Sequence, residues 1–448
     1  MPPRRARRAI ARWLTTLLPM IAAILLLSPV ESAAQEDAGG SRPGFKEGDT
    51  IPFRAIAKLQ PYLPPEFWSN RDFFFFEGME LEIGPFHRDY SPSQAYAAAT
   101  EQYRGQSKIG PDGSLENYVA GMPFPSDAID CANDPEAGSK IMWSFDYSWK
   151  GSGGAASFFY SYWDRGEQLP LYYEGTGRAV QLSHRVEPST LAQNQGDLFR
   201  GEKRKGAFGI EVTAPFDARG ISLMTYRYKS ADGPRADAKN DDTWVYIPQL
   251  RRVRRISTAQ RTDAISGTDF TFDDLRSFAG IVPQYDWSCL GEMEILAPMN
   301  SQVKAYPYER DRNFGPYGLS FASDLWELRH AVKVRMTPKN PDHPYHHKDI
   351  YIDRQTMKPL YSFAYDRKEE LWKIIWHNKR WSEDDPEYYP GWPEVEQPRD
   401  LRVVSDIIVN VQTGTGNRIE FWDSNGTPLK SKGKIRRYID VGRLSKGR

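Results

Sequence analysis

From residue 153 onward, apolar and polar residues alternate in short runs that Gly, Asp and Pro residues separate. Alternation with a period of two places the apolar side chains on one face of a strand, and a series of such runs is typical of an antiparallel meander. The pattern therefore predicts a large antiparallel sheet, with strands over residues 156–163, 171–175, 179–186, 208–214, 221–229, 244–247, 249–256, 287–296, 326–336, 347–353, 358–365, 371–381, 401–411 and 418–422.

Two segments of the first third predict helices. Ser91 is a capping residue, Pro92 suits the first helical position and Gln94 can close a capping box, so we predict a helix that runs to about Tyr103. Residues 134–149 show helical spacing of their apolar residues, but they also alternate as a strand would. We favour a helix for this segment and leave the strand open.

The stretch 241–275 carries the most specific pattern in the chain. Trp244 and Tyr246 point to one side of a strand, Val245 and Ile247 to the other, and Pro248 ends it. Four arginines then surround three apolar residues in the next strand, so one face stays in water. The arginines are Arg251, Arg252, Arg254 and Arg255, and the apolar residues are Leu250, Val253 and Ile256.

The same stretch ends in the run SGTDFTFDDL, where Thr268 or Asp269 could cap a short helix over about 268–278. That helix would carry Phe270, Phe272 and Leu275. Asp273 and Asp274 would then face the four arginines across the turn, as surface ion pairs or as a lid over a binding site.

The first 34 residues have the features of an export signal. A head with five arginines precedes an apolar run over 13–27, and Ser32-Ala33-Ala34 offers small residues at the cleavage site. The apolar run is shorter than the roughly 20 residues of a membrane span, so we predict a periplasmic protein with no transmembrane span in its mature chain. Residues 35–58 would be a flexible lead, 59–429 one domain and 430–448 a basic tail.

Charge and cysteine content narrow the possible classes of function further. After removal of the signal, the chain holds 54 basic and 58 acidic residues, which disfavours a nucleic-acid partner. Cys131 and Cys289 are the two cysteines, and in an exported chain such a pair predicts a disulfide. Two separate buried thiols are the alternative.

Aromatic residues make up 13% of the chain, and they could either fill the core of the sheet or line a cavity for an apolar ligand. A tail of sixteen carbons costs on the order of 10 kcal/mol to leave in water, so a soluble carrier must cover it. Composition alone leaves both interpretations open.

The pattern W-x-Y-x-P-x-x-R-R-V-x-R with SGTDFTxDDL resembles the periplasmic carriers of lipoproteins (LolA-like). The runs FFFFEGMELEIGP (73–85), YVAGMPFP (118–125) and YIDRQTMKPLYSFAYDR (351–367) are similar to the exported family called domain of unknown function 1329. This resemblance implies an α+β fold with a large curved antiparallel sheet, a half-barrel with helices on its concave face or mouth. It also implies a carrier that passes a lipid or another hydrophobic molecule, for example a lipoprotein acyl chain, between an efflux-type inner-membrane transporter and an outer-membrane protein.

We predict a hydrophobic binding site. We predict no catalytic activity, no bound cofactor and no metal ion. Its lining residues would be Trp244, Tyr246, Leu250, Val253, Phe270, Phe272 and Leu275, with Phe74 and Phe76 less central. The arginines 251, 252, 254 and 255 with Asp273 and Asp274 would contact a headgroup or hold a lid.

Two other functions stay open. A glycan-active enzyme of the cell envelope would need two carboxyl groups about 5 to 10 Å apart beside stacking rings. A sensor or scaffold would have a filled core. The cluster of His343, His346 and His347 lies in a proline-containing loop, so we assign no metal to it.

Overall fold

A sheet of fifteen strands dominates the computed structural model, which describes residues 40–165, 168–256, 261–301, 315–384, 399–422 and 431–446. The predicted export signal and its cleavage site lie outside the described residues. The strands are β1 (Ser41–Arg42), β2 (Phe45–Lys46), β3 (Thr50–Pro52), β4 (Glu80–Ile83), β5 (Lys108–Ile109), β6 (Leu115–Glu116), β7 (Gly153–Asp164), β8 (Gln168–Gln181), β9 (Arg204–Ala214), β10 (Ser222–Tyr228), β11 (Asp242–Ile247), β12 (Arg252–Ile256), β13 (Tyr285–Pro298), β14 (Leu325–Pro338), β15 (His347–Asp353), β16 (Pro359–Tyr365), β17 (Leu371–Trp381), β18 (Leu401–Asn410) and β19 (Thr415–Trp422).

The helices are short and lie outside the sheet. The α-helices are α1 (Pro65–Ser69), α2 (Gln94–Gln102), α3 (Ala137–Asp146), α4 (Pro188–Asn194) and α5 (Lys432–Tyr438). Segments of 3-10 helix cover Phe53–Tyr62, Arg71–Phe73, Ser126–Ala128, Lys229–Ala231, Pro248–Leu250, Ile265–Gly267, Phe272–Ser277, Val282–Gln284, Ser382–Asp384 and Val441–Lys446. Among the described residues, none of these helices has the length and apolar character that a membrane crossing requires.

The sheet is an unclosed meander, as the alternation predicted. Its order is β12-β11-β10-β9-β8-β7-β19-β18-β17-β16-β15-β14-β4-β3, and β13 pairs with the other edge of β14. The two predicted strands 171–175 and 179–186 are one strand, β8. The sheet is antiparallel with one difference from the prediction: β4 pairs with β14 in parallel.

The two helices predicted for the first third of the chain form, with corrected boundaries. The helix predicted over about 268–278 does not form, because Leu275 and Arg276 interrupt the 3-10 turns over Phe272–Ser277 with non-helical backbone angles. α2 begins at Gln94, and the capping residue is Ser93, whose hydroxyl accepts a hydrogen bond from the backbone N–H of Tyr96. Residues Ala137–Asp146 form α3 and not a strand. α3 packs so closely on β13 that a Cβ added at Gly138 would lie 2.6 Å from the backbone of Trp287.

Both faces of the sheet are covered over β14 to β18. Cross-strand partners share a face, so the strand register assigns each side chain to one side. On the side that we call the front face lie α3 and residues 261–284, over a core with Val332, Ile350 and Ile375. On the back face, the segment 53–76 packs over Tyr361 and Trp376.

The two chain ends are not the flexible lead and free basic tail that the sequence predicted. Residues 41–58 form β1 to β3 and a 3-10 helix, and Phe45, Ile51 and Ile56 are buried. At the other end, Ile435 and Leu444 are buried on the back face of β8 to β12. Both ends belong to the compact unit Gly40–Arg448 because their apolar residues need cover that the sheet supplies.

Cys131 and Cys289 form the predicted disulfide, with a Cα–Cα distance of 5.6 Å. The bond joins the segment before α3 to β13. It therefore fixes the front-face cover to an edge strand of the sheet.

Candidate functional site

Residues 261–284, which we call the covering segment, lie on the front face of the sheet and contain the SGTDFTxDDL motif. Phe270 is buried among Tyr160, Ile375 and Ile419, and its ring is 5.9 Å from that of Tyr160 in an edge-to-face arrangement. One aromatic side chain thus seats the middle of the segment in the apolar part of the front face.

Asp269 fixes the covering segment to β17, β18 and β19 through hydrogen bonds to its carboxylate and to its backbone carbonyl oxygen. Its carboxylate accepts from Asn410 Nδ2 at 2.7 Å and from Thr415 Oγ1 at 2.6 Å, and its carbonyl oxygen accepts from Lys373 Nζ at 2.7 Å. The neighbouring Thr268 hydroxyl shares a 2.6 Å hydrogen bond with the Tyr160 hydroxyl. Thr268 and Asp269 therefore bind the sheet, whereas the sequence predicted that one of them caps a helix.

Asp274 is the central anchor of the segment. It has no exposed surface, and its carboxylate lies 2.6 Å from Lys348 Nζ and 3.2 Å from Lys373 Nζ. The Tyr345 hydroxyl donates to it at 2.7 Å and the Thr271 hydroxyl at 2.9 Å. Burial would raise the pKa of Asp274, but the two ammonium groups hold that pKa well below its usual range, so the carboxylate is ionised.

Ser277, His377 and Asp406 form a second anchor, and all three are fully buried. Ser277 Oγ lies 2.7 Å from His377 Nε2, and His377 Nδ1 lies 2.6 Å from Asp406 Oδ1. A carboxylate only accepts hydrogen bonds, so Nδ1 donates to Asp406 and Nε2 accepts from the serine hydroxyl. Burial lowers the pKa of His377, which agrees with a neutral imidazole.

This order of groups is also that of a serine hydrolase, in which a serine is activated by a histidine and an aspartate. Here the serine has no exposed surface, and it belongs to the covering segment itself. Lifting the segment would separate Ser277 from His377. We therefore assign these three residues to anchoring.

The Ser277→Ala variant tests this assignment. We expect a loss of about 1–2 kcal/mol in the free energy of unfolding, because His377 loses a buried hydrogen-bond partner. We also expect no labelling of the wild-type protein by a fluorophosphonate, which reacts with activated serines. Labelling that disappears in Ser277→Ala would instead show a nucleophile.

The covering segment leaves part of the front face open over β8 to β11. There the residues Phe208, Ile210, Val245 and Ile247 are half-buried, and we call these four the front patch. The register places Ile210 opposite Leu223, and Leu223 opposite Val245, so the patch crosses neighbouring strands on one side of the sheet. It reaches the covering segment where Ile210 and Ile265 pack against the same core.

A row of small residues on β8 borders the front patch. Gly177 pairs with Ile210 and Ala179 with Phe208. A Cβ added at Gly177 would meet its first neighbours only at 3.9 Å, which is ordinary van der Waals contact. The surface over β8 is therefore low, and the patch continues to the edge of the covering segment.

The predicted site residues do not form one site, because alternate residues of a strand point to opposite faces. Trp244, Tyr246 and Val253 lie on the back face and pack against the C-terminal segment. Phe74 and Phe76 belong to the segment 53–76 and contribute to the core between this segment and the sheet. Phe270, Phe272 and Leu275 lie in the covering segment, with Phe272 and Leu275 half-buried, and Leu250 is 46% exposed in a turn.

The predicted arginine–aspartate contacts also differ. Asp273 pairs with Arg261 at 2.7 Å, and Arg255 pairs with Asp242. Arg251, Arg252 and Arg254 are exposed at the end of the sheet. Arg251 has a φ of 49°, a left-handed conformation that turns the chain between β11 and β12. The register places Arg254 opposite Val245 and Arg252 opposite Ile247, so these two arginines lie on the front face beside the front patch.

Sequence reasoning missed the residues that hold the covering segment, namely Lys348, Lys373, His377 and Asp406. A signal was present, because charged residues interrupt the otherwise apolar strands β15, β17 and β18. Such residues are rarely buried unless they are paired. The partners of Lys348, Lys373 and His377 in the covering segment could not be named from sequence, since they lie 74 to 100 residues away in the chain.

Further hollows lie elsewhere in the described part of the chain, and the lining of the first also includes Ile210 of the front patch. A cavity of about 120 Å³ lies under the C-terminal segment, lined by Arg178, Met224, Tyr246, Tyr438 and Leu444 among others. Ligand pockets usually measure about 300–1,000 Å³, so this cavity is too small for an acyl chain. A surface hollow of about 610 Å³ borders the disulfide, between residues 129–132 and 289–292.

The protein has an unclosed sheet with short helices on both faces. The segment that carries the SGTDFTxDDL motif is anchored on the front face. These features define its structural class. The family model for the protein of unknown function DUF1329 matches residues 74–434. The chain belongs to this family, which confirms the resemblance seen in its motifs.

The relatives and similar structures are distant. An uncharacterised protein of Pseudomonas aeruginosa is 24% identical over 307 residues, which cover 66% of this chain and 61% of that protein, so the match spans less than two thirds of the relative. Crystal structures of a DUF1329 family protein from Desulfovibrio piger (17% identity, TM-score 0.45) and of a protein described as an outer membrane lipoprotein-sorting protein domain from Vibrio parahaemolyticus (16%, 0.44) each align over 70% of this chain and 100% of their own. A LolA superfamily protein from Nitrosomonas europaea aligns over 64% of this chain and 91% of its own, with 11% identity and a TM-score of 0.35.

Proposed function

We propose that the protein is a periplasmic carrier that binds a hydrophobic molecule with an alkyl chain on the front patch, beside the covering segment. The front patch is the observation that carries this proposal. Large apolar side chains that stay partly exposed in a group, on a sheet that is covered on both faces over β14 to β18, mark a binding surface more often than a solvated one.

The size of the patch fits an extended chain. The patch runs across β9 to β11 and continues over the small residues of β8, so an alkyl chain can lie across the strands against side chains of successive rows. Strands lie about 4.8 Å apart, and four strands therefore span roughly 14 Å, the length of about eleven methylene groups. Burial of that many groups is worth on the order of 9 kcal/mol before the cost of ordering the chain.

The covering segment supports the proposal because it forms one wall of the patch and does not fill it. Its anchors, Asp274 and Ser277, hold this wall in place without any side chain of the patch. In this proposal a partner in the envelope delivers the ligand and another receives it. The transporter and outer-membrane protein implied by the family resemblance are candidates for these two roles.

The Gly177→Leu variant tests the patch. A Cβ has room at this position, and the rest of the leucine side chain would extend over the surface where we place the ligand. We expect uptake of a fluorescent fatty acid to fall at least tenfold, with an unchanged thermal unfolding midpoint. Gly433→Leu is the matched control, because a Cβ at this exposed glycine of α5 also meets its first neighbour only at 3.9 Å.

Equal uptake by Gly177→Leu and Gly433→Leu would contradict the proposed surface. Loss of uptake in Tyr246→Ala, which widens the small back-face cavity, together with full uptake in Gly177→Leu, would move the site to that cavity.

A further inference from the structure

His87, Glu294 and His330 meet where β13, β14 and the segment after β4 lie side by side. Glu294 on β13 and His330 on β14 are cross-strand partners, so they share a face. His87 follows β4, and its backbone N–H donates to the carbonyl oxygen of Leu328 at 2.9 Å. The corner therefore joins three segments that are separate in sequence.

The ligand atoms of these three side chains all lie within 4.8 Å of one another. His87 Nε2 is 2.8 Å from Glu294 Oε1, and the two imidazole rings are stacked with their centroids 4.1 Å apart. His87 has a φ of 51°, a conformation that non-glycine residues seldom adopt, and the hydrogen bond to Leu328 holds it there. The backbone thus directs the His87 ring into the group at a conformational cost.

We propose that His87, Glu294 and His330 bind a divalent transition-metal ion, with Zn²⁺ as the best match. Two imidazole nitrogens and one carboxylate oxygen are donors that Zn²⁺ accepts, and three protein ligands leave a fourth position for water. His87 and Glu294 are half-buried and His330 is exposed, so an ion can enter from solvent. Ca²⁺ and Mg²⁺ prefer oxygen ligands and would bind poorly here.

Arg42 is the competitor of such an ion. Its guanidinium donates to Glu294 Oε2 at 2.9 Å and to Oε1 at 2.7 Å, so it neutralises the carboxylate in the metal-free protein. A cation that binds Oε1 must weaken one of these hydrogen bonds and lie close to a like charge. Arg42 therefore lowers the affinity of the site, and its removal should raise it.

Titration of the full mature chain, without an affinity tag, with ZnCl₂ in a calorimeter tests the proposal. We expect one ion per chain, and we expect His330→Ala to lower the affinity at least about tenfold, as loss of a ligand does. His330 is exposed, so this variant should fold, and circular dichroism checks that it does. Arg42→Gln should bind Zn²⁺ more tightly than the wild type.

His346→Ala is the matched control, because His346 is another partly exposed histidine and lies beside His347, 2.9 Å away between their Nδ1 atoms. Its affinity for Zn²⁺ should equal that of the wild type. Absence of stoichiometric binding would overturn the proposal. So would a loss of affinity in His346→Ala with none in His330→Ala, since the ion would then occupy the histidine-rich loop.

Discussion

Replacement of Asp274 by alanine is expected to destabilise the protein by about 3–5 kcal/mol, the usual cost of removing one partner from a buried ion pair. The reason is that the ammonium groups of Lys348 and Lys373, both 2% exposed or less, would lose the carboxylate between them. Urea unfolding, followed by tryptophan fluorescence, measures the change. Asp263→Ala is the control, since Asp263 is an exposed carboxylate of the same segment.

A second variant separates charge from packing. If the loss in Asp274→Ala comes from uncompensated charge, the triple variant Asp274→Leu, Lys348→Met, Lys373→Met should recover most of the stability, because apolar residues of similar volume can replace a buried ion group. A triple variant as unstable as Asp274→Ala would show that the cost has another origin. Equal stability of Asp274→Ala and Asp263→Ala would show that Asp274 does not anchor the segment.

Low pH should weaken the anchor at Asp274. The folded-state pKa of Asp274 is below its value in the unfolded chain, so this carboxylate stabilises the fold above about pH 4 and loses that contribution as pH falls further. The difference in stability between the wild type and Asp274→Ala should therefore shrink below pH 4. A difference that stays constant from pH 7 to pH 3 would contradict the assignment.

Removal of the disulfide has the second large expected effect. Cys131 and Cys289 are 158 residues apart, and a closed loop of that length corresponds to about 5 kcal/mol of chain entropy in the unfolded state. The double variant Cys131→Ala, Cys289→Ala should unfold at a correspondingly lower urea concentration. The reduced wild type should match it, since both lack the bond.

The same variant shows where the bond acts in the folded state. Because it joins the segment before α3 to β13, amide hydrogens of α3 should exchange faster with solvent in the double variant, while those of β17 and β18 should lose less protection. Uniform loss of protection across the sheet would mean that the bond stabilises only by restricting the unfolded chain.

Strand positions were predictable because alternation is a local property. β15 and β17 have the predicted boundaries, and β7 and β14 extend the predicted runs by a few residues. The helix α3 was ambiguous because Ile141 and Phe145 satisfy both helical and strand spacing. Its conformation is decided by its tight packing on β13 at Gly138, which involves residues about 150 positions away.

The site was less predictable because strand alternation identifies two faces but not what covers each of them. Trp244 and Tyr246 were predicted to line the site, whereas Val245 and Ile247 on the opposite face of the strand were not. The structure places the aromatic pair under the C-terminal segment and the aliphatic pair on the front face beside the covering segment. The larger aromatic side chains pack in the core, and the smaller aliphatic side chains remain partly exposed for ligand contact. Which of the two pairs is covered depends on α5, which lies about 190 residues further along the chain.

β12 is the last strand at one end of the sheet. This position gives its arginines a role that is independent of ligand binding. The outer side of such a strand presents amide and carbonyl groups to which a strand of another molecule could add, and long stacks of chains could grow from there. Arg252, Arg254 and Arg255 occupy three of its five positions, so two such edges repel each other on approach. The charge of one short strand thus protects the open end of the sheet against polymerisation.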